Sequence, residues 1–257
     1  MFDPKAAAQF VADAHRQRRT FENMPAGVGP ATVAEAYAAQ EALRDIWRAE
    51  KGEVAGLKIA TTTKVMQELM GIDHPCGGMI YARCIHASPA TLRKADFMHM
   101  VAECELAVRL ARDLPATGAP YTRETARAAI GEVMPAFELI EDRNAVYKGT
   151  SALSLIADNA WNGGIVIGKP VPLPADLELN GLAGQLAING TAAHAGRTDD
   201  PLGALAWVAN LAAERGRPMT AGMVVITGSV IATLPIEPGQ TFAFALDGLG
   251  EVRMTAA

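Results

Sequence analysis

Three acidic residues offer the sharpest chemistry in this sequence. In Val101-Ala102-Glu103-Cys104-Glu105-Leu106-Ala107-Val108-Arg109-Leu110, positions 102, 104, 106, 108 and 110 are apolar, the period-two pattern of a half-buried strand. Glu103 and Glu105 then share the opposite face, their α-carbons about 6.5 Å apart at roughly 3.3 Å per residue. Two carboxylates so close repel each other unless the face is wet or a cation sits between them. Glu138 stands alone among apolar neighbours in Pro135-Ala136-Phe137-Glu138-Leu139-Ile140, where an unpaired charge is expensive to bury. Spacing leaves two readings open for each group. Glu103 and Glu105 are either a solvated sheet face or part of a cation site, and Glu138 is either the acid of a salt bridge to Arg or Lys or a third ligand. With no His or Cys obviously competing, three carboxylates suit a hard divalent cation, Mg²⁺ or Mn²⁺, leaving positions for water and a chelating ligand.

The elements that must position these groups can be read in outline. Asp3-Pro4 caps a first helix, and Thr32-Val33-Ala34-Glu35 opens a second that ends near Gly52, in keeping with capping-box and C-cap rules. From Val54 onward the texture becomes short β-like runs: 56–60, 101–110, 135–140 and 165–167. Asn189-Gly190 predicts a two-residue hairpin turn, and Asp247-Gly248-Leu249-Gly250 a second hairpin. Helices are expected over 63–70, 122–130 and 201–215. The division expected is a helical region, 1–53, packed on a β-rich core, 54–257.

Composition limits what this core can serve. Half of the 257 residues are hydrophobic and 20% are charged, which predicts a folded globular chain. A net charge of -5 and a pI near 5.6 leave no basic stripe for nucleic-acid phosphates. Cys76, Cys84 and Cys104 match neither a disulfide framework nor a zinc cluster, so a reducing, cytoplasmic setting is expected. No apolar leader or run of about 18 uncharged apolar residues suggests export or a membrane span.

Gly56-Leu57-Lys58-Ile59 with Thr62, Gly71-Ile72-Asp73-His74-Pro75, Glu103-x-Glu105, Pro135-Ala136-Phe137-Glu138, Ala157-Asp158-Asn159-Ala160, the 201–209 segment and Thr227-Gly228-Ser229 together resemble the 2-oxopent-4-enoate hydratase and 4-oxalocrotonate decarboxylase family of the fumarylacetoacetate hydrolase superfamily. The resemblance runs nearly end to end, and the order of its segments is more specific than any one of them. It implies an α+β fold with a mixed β-roll or sandwich core and an N-terminal helical region. It implies a metal on Glu103, Glu105 and Glu138, and a 2-oxo acid substrate chelated by that metal, which stabilises an enolate. By the same resemblance Lys58 places a cation near the developing oxyanion, and Thr62, Asp158, Asn159 and Ser229 contact substrate. The activity implied is that of a lyase, hydrating or decarboxylating an unsaturated 2-oxo acid from aromatic ring cleavage. The resemblance also implies a homo-oligomer able to associate with a pathway enzyme, while charge and hydropathy predict no nucleic-acid or membrane partner.

The chain departs from the family pattern at two positions near this chemistry. The segment Asp73-His74-Pro75-Cys76 carries Cys76 where relatives have a second aspartate, so a thiol stands at an expected catalytic position. Ala60 replaces a glycine. Two alternatives follow: an acylpyruvate C–C hydrolase, for which no His-Glu pair is evident in the amino-terminal helices, and an inactive homologue that keeps the metal but has lost chemistry with Cys76.

Overall fold

The computed structural model describes residues 1–257. Helix α1 is Pro4–Arg16, its start fixed by Asp3 Oδ1 accepting from the N–H groups of Lys5 and Ala6. Helix α2 is Val33–Lys51, opened by the Thr32 hydroxyl on the Glu35 N–H and closed at Gly52. The remaining elements are β1 (Val54–Ala60), α3 (Lys64–Met70), β2 (Cys76–Tyr81), β3 (Ile85–Ala87), β4 (Ala90–Leu92), β5 (Met100–Leu110), α4 (Arg123–Arg127) and β6 (Ile130–Glu141). After them come α5 (Ala152–Ala157), β7 (Asn162–Ile167), β8 (Val171–Pro172), β9 (Ala183–Ile188), β10 (Thr191–Arg197), α6 (Pro201–Glu214), β11 (Val224–Pro235), β12 (Thr241–Leu246) and β13 (Gly250–Ala256). Both expected hairpins form: Asn189 and Gly190 take φ of 51° and 78° between β9 and β10, and β12 pairs antiparallel with β13.

These strands make two mixed sheets. One has eight strands in the order β2-β1-β11-β5-β6-β7-β3, with β8 alongside β6, and the other has five in the order β10-β9-β12-β13-β4. Cys104, Leu106 and Val108 of β5 and Phe137 of β6 meet Phe242, Phe244, Val252 and Met254 of the smaller sheet and Leu205, Val208 and Ala209 of α6 in one apolar core. This is the α+β sandwich-like architecture implied by the sequence. No helix is long and apolar enough to cross a membrane.

Two expectations need correction. The β5 strand is covered on both faces rather than one, and Glu105 is 0% exposed. The second covering layer is helical: Val101 and Ile140, on the Glu103 side, pack with Tyr37 of α2, Leu155 and Ile156 of α5 and Trp161. Period-two alternation reports which residues share a face, but it cannot tell a face covered by a distant helix from one facing water. Helix α4 also stops at Arg127 rather than Ile130, because Ile130 pairs with Leu110 in the ladder that begins β6.

Candidate metal centre

Sheet register brings the acidic residues together. Glu103 pairs directly with Glu138 across β5 and β6, which puts both on one face, and Glu105 lies two residues along β5 on the same face. Lys58 reaches this face through a second set of ladders: it pairs with Ile226 of β11, which pairs with Ala107 of β5. Three strands, β1, β5 and β6, with β11 lying between β1 and β5, therefore bring one ammonium and three carboxylates to the same patch.

One oxygen from each of Glu103, Glu105 and Glu138 lies within 4.8 Å of the others. Glu105 and Glu138 are 0% exposed, whereas Glu103 is half-buried. The individual oxygens are used unequally. Glu138 Oε1 lies 2.9 Å from Lys58 Nζ and accepts from Asn162 Nδ2 at 2.9 Å. Glu105 Oε2 accepts from the Gly228 N–H at 2.6 Å, and Glu103 Oε1 from the Thr233 hydroxyl at 2.5 Å. Glu105 Oε1 and Glu138 Oε2 are buried with no partner at all. Buried carboxylate oxygens without a donor are strongly unfavourable. Two of them beside a third carboxylate, with only oxygen donors in the set, fit a hard divalent cation. The sequence left two readings open for Glu138, and both of its features are present: one oxygen is salt-bridged to a lysine and the other is free for a cation.

Electrostatics agree with this division. Burial, then Glu103 and Glu138, drives the Glu105 carboxyl well above the usual carboxylate range. Burial also lifts Glu138, while Lys58 and the Asn162 amide pull against it. Burial works against the charge on Lys58, yet Glu138 and Glu103 outweigh it and hold the ammonium above the ordinary lysine range. One ammonium faces three carboxylates, so Lys58 keeps its proton, and the negative charge it leaves unbalanced adds to burial in favouring the protonated form of Glu105.

Gly228 makes part of this geometry possible. Its φ of 120° aims the N–H at Glu105 in a conformation that side chains rarely adopt. Gly78 is needed for another reason: a Cβ there would lie 2.6 Å from the Asn159 carbonyl oxygen and 3.0 Å from Lys58 Cγ, displacing the lysine.

A cavity of about 380 Å³ reaches the cluster at Lys58 and Glu103 and is lined further by Thr62 and Ser229 and by the apolar side chains of Met66, Met70, Ile140, Leu155, Ala160 and Trp161. Thr62 and Ser229 also line an adjoining cavity of about 750 Å³ that reaches Arg123 and Asp200. The Ser229 hydroxyl is turned to the Ile231 carbonyl.

Three residues expected at the substrate are placed elsewhere. Asp158 is buried, with Oδ1 2.6 Å from His15 Nε2 and Oδ2 2.5 Å from Arg143, so both oxygens bind α1 and the turn after β6 to the core. Burial opposes its charge, but His15 and Arg143 hold the carboxyl below its ordinary range. Asn159 closes a pair of hydrogen bonds with the N–H and C=O of Met79, at 2.7 and 2.9 Å. Cys76 is 0% exposed, lines neither cavity, and has the Thr61 hydroxyl 3.5 Å from its sulfur. Burial pushes its thiol up, so it stays neutral.

Sequence reasoning missed Asn162, Tyr147 and Trp161. Asn162 is two residues beyond the Ala157-to-Ala160 segment, and the β6 and β7 ladder sets it opposite Ile140, from where its amide reaches Glu138 two residues along β6. Trp161 enters the cavity because Asn159, Ala160 and Trp161 take φ of 53°, 47° and 57° in succession, a strained turn secured by the Asn159 bonds to Met79. No local pattern announces three left-handed non-glycine residues.

Comparison with known proteins gives a consistent picture. The family model described as fumarylacetoacetate (FAA) hydrolase C-terminal matches residues 77–257. A 2-hydroxyhexa-2,4-dienoate hydratase of Comamonas testosteroni is 32% identical over 94% of this chain and 93% of its own length. A 2-keto-4-pentenoate hydratase of Burkholderia vietnamiensis is 30% identical over 88% of this chain and 86% of its own. Among solved structures, a 4-oxalocrotonate decarboxylase from Pseudomonas putida G7, complexed with magnesium and adipate, superposes with a TM-score of 0.89. It is 25% identical and the match covers 99% of this chain and 97% of that one.

Proposed function

The chain belongs to the fumarylacetoacetate hydrolase C-terminal family, and on that premise we propose a metal-dependent lyase that hydrates or decarboxylates an unsaturated 2-oxo acid. The observation that carries this reading is the convergence of Glu103, Glu105 and Glu138, with two buried oxygens lacking any partner. Mg²⁺ or Mn²⁺ held by these three residues would supply Lewis-acid stabilisation to the carboxylate and 2-oxo oxygens of the substrate. The protein supplies the rest. Lys58, kept protonated by Glu138 and Glu103, presents a fixed positive charge where the oxyanion grows. Thr62 and Ser229 stand at the junction of the two cavities, and we assign them to substrate positioning. Cys76 is assigned a neutral packing role behind Lys58, with no contact to the reacting atoms.

The substrate tail is favoured to be uncharged. Apart from Lys58 and Glu103, no charged side chain lines the 380 Å³ cavity, so the distal carboxylate of a dianion would be buried there without a cation. In the adjoining cavity the Arg123 guanidinium is already paired with Asp200. This favours hydration of a 2-hydroxy-2,4-dienoate over decarboxylation of a 2-oxohex-3-enedioate. We also propose a cytoplasmic location, in keeping with three cysteines that form no disulfide, and, by resemblance, homo-oligomeric assembly and a place in aromatic breakdown.

The test is loss of the dienol ultraviolet absorbance of 2-hydroxypenta-2,4-dienoate with and without Mg²⁺, beside CO₂ release from 2-oxohex-3-enedioate. Metal-stimulated loss of the dienol is expected. An absence of metal-stimulated turnover on both substrates would overturn the lyase reading, and faster CO₂ release would overturn the preference for hydration.

A further inference from the structure

From the wall of the cavity a line of hydrogen bonds leads to the surface through residues that the metal cluster does not use. Tyr147 lines the cavity together with Glu103 and Trp161, and its ring packs against Trp161 at 5.3 Å between centroids. Its hydroxyl donates to Asp142 Oδ2 at 3.1 Å, and Asp142 Oδ1 lies 2.7 Å from His99 Nδ1. The Asp142 side chain is 4% exposed and that of His99 is 40% exposed, so the middle of the line is dry and its outer end wet.

Backbone contacts fix this arrangement at its middle and at its outer end. Asp142 Oδ1 also accepts from the Asn144 N–H at 2.9 Å, and Glu141 accepts from the N–H groups of Met98 and His99 at 2.6 and 2.9 Å. Burial, followed by the Asp142 carboxylate, pushes the Tyr147 phenol above its usual range, so it persists as an O–H. Lys58 cannot easily serve the far end of a substrate, because its ammonium is tied to Glu138.

We infer that His99, Asp142 and Tyr147 form a proton conduit from solvent to the substrate carbon remote from the 2-oxo group, with Tyr147 as the final donor. The inference rests on the lyase reading of the site. His99, protonated from solvent, gives its Nδ1 proton to Asp142 Oδ1, and a half-turn of the neutral carboxyl brings that proton to face Tyr147. The Tyr147 O–H, turned from Asp142 into the cavity, gives its proton to the distal carbon of the dienol(ate) as its oxygen takes the proton from Asp142. The terminal C=C electron pair forms the new C–H bond, the remaining double bond shifts inward and the 2-oxo C=O is restored. An enol proton, where present, leaves to solvent, and solvent reprotonates His99. No oxidant or reductant takes part. Tyr147 is the catalytic residue of this set, whereas Asp142 and His99 act through it.

The test follows 2-hydroxypenta-2,4-dienoate in D₂O by NMR with Mg²⁺-loaded protein, reading deuterium at C5 and C3 separately. Tyr147→Phe keeps the ring and removes only the hydroxyl. It is expected to slow C5 deuteration about 100-fold, in the range of general-acid contributions, with C3 deuteration and oxalate affinity unchanged. His99→Ala is expected to slow C5 deuteration likewise and to recover part of the rate in imidazole buffer, to which the wild type is indifferent. C5 deuteration at the wild-type rate in Tyr147→Phe, or a His99→Ala defect that imidazole leaves untouched, overturns the conduit. Failure of Mg²⁺-loaded wild-type protein to bind oxalate would instead sink the lyase reading on which it rests.

Discussion

Lys58 Nζ sits 2.9 Å from Glu138 Oε1, and the two side chains are 4% and 0% exposed. A sealed ion pair of this kind is held by geometry and extra hydrogen bonds rather than by net Coulombic gain. Here the extra bond comes from Asn162, and the second Glu138 oxygen is left over. The same carboxylate thus anchors the lysine with one oxygen and offers the other to a cation.

Lys58→Met should therefore separate binding from chemistry. It removes the positive charge facing the oxyanion without removing a carboxylate, so turnover is expected to fall about 100-fold or more. Mg²⁺ affinity, measured by calorimetry, is expected to stay the same or tighten. Weaker Mg²⁺ binding by this variant would show that Lys58 supports the carboxylate cluster rather than the reaction.

Asp158→Ala should act on stability. It leaves Arg143 buried without its carboxylate, a change that costs about 3–5 kcal/mol for a broken buried pair, and it unties His15 of α1. A denaturant midpoint well below that of the wild type is expected, with Mg²⁺ affinity unchanged where the variant is folded. A near-native midpoint with a large rise in KM would restore Asp158 to the substrate.

The raised Glu105 carboxyl gives a pH dependence with a defined sign. In the metal-free fold it binds a proton more tightly than in the unfolded chain, whose value is near 4.5. The metal-free fold therefore loses stability as pH climbs from that value through the raised one. A bound cation ionises the group, releases the proton and cancels the loss. The Mg²⁺-induced rise in Tm is expected to grow with pH across this window, and calorimetry in buffers of different ionisation enthalpy is expected to detect released protons. A pH-independent Tm shift without proton release would contradict this.

Met66→Arg would place a cation in the wall of the cavity from α3, where Met66 is half-buried. The kcat/KM ratio of 2-oxohex-3-enedioate to 2-hydroxypenta-2,4-dienoate is expected to rise about tenfold or more. An unchanged ratio would mean that the substrate tail lies in the other cavity, toward Arg123.

Much of this site was legible in the sequence because strand periodicity is strict. Alternation put Glu103 and Glu105 on one face, and a lone glutamate between Phe137 and Leu139 signalled a buried partner. What periodicity cannot supply is register between strands. The pairing of Glu103 with Glu138, and of Lys58 with Ile226, depends on ladders closed by residues more than thirty positions apart. The same reach of local pattern applies to three side chains expected at the substrate. Asp158 and Asn159 sit beside the site in sequence, but a left-handed turn sends Trp161 into the cavity and leaves both polar side chains holding the scaffold. Cys76 was placed by analogy with an aspartate, and its burial follows from its place in β2, where every residue is covered.

The proposed function requires Glu103, Glu105 and Glu138 to cage one divalent ion that a 2-oxo acid can chelate. A crystal soaked with Mn²⁺ and oxalate, read by anomalous scattering, tests it directly. A single strong peak is expected, with an oxygen of each carboxylate within roughly 2.0–2.6 Å, the range for hard divalent cations, and oxalate on its open side facing Lys58. A peak elsewhere, or an ion that leaves Glu105 and Glu138 uncoordinated, would contradict it.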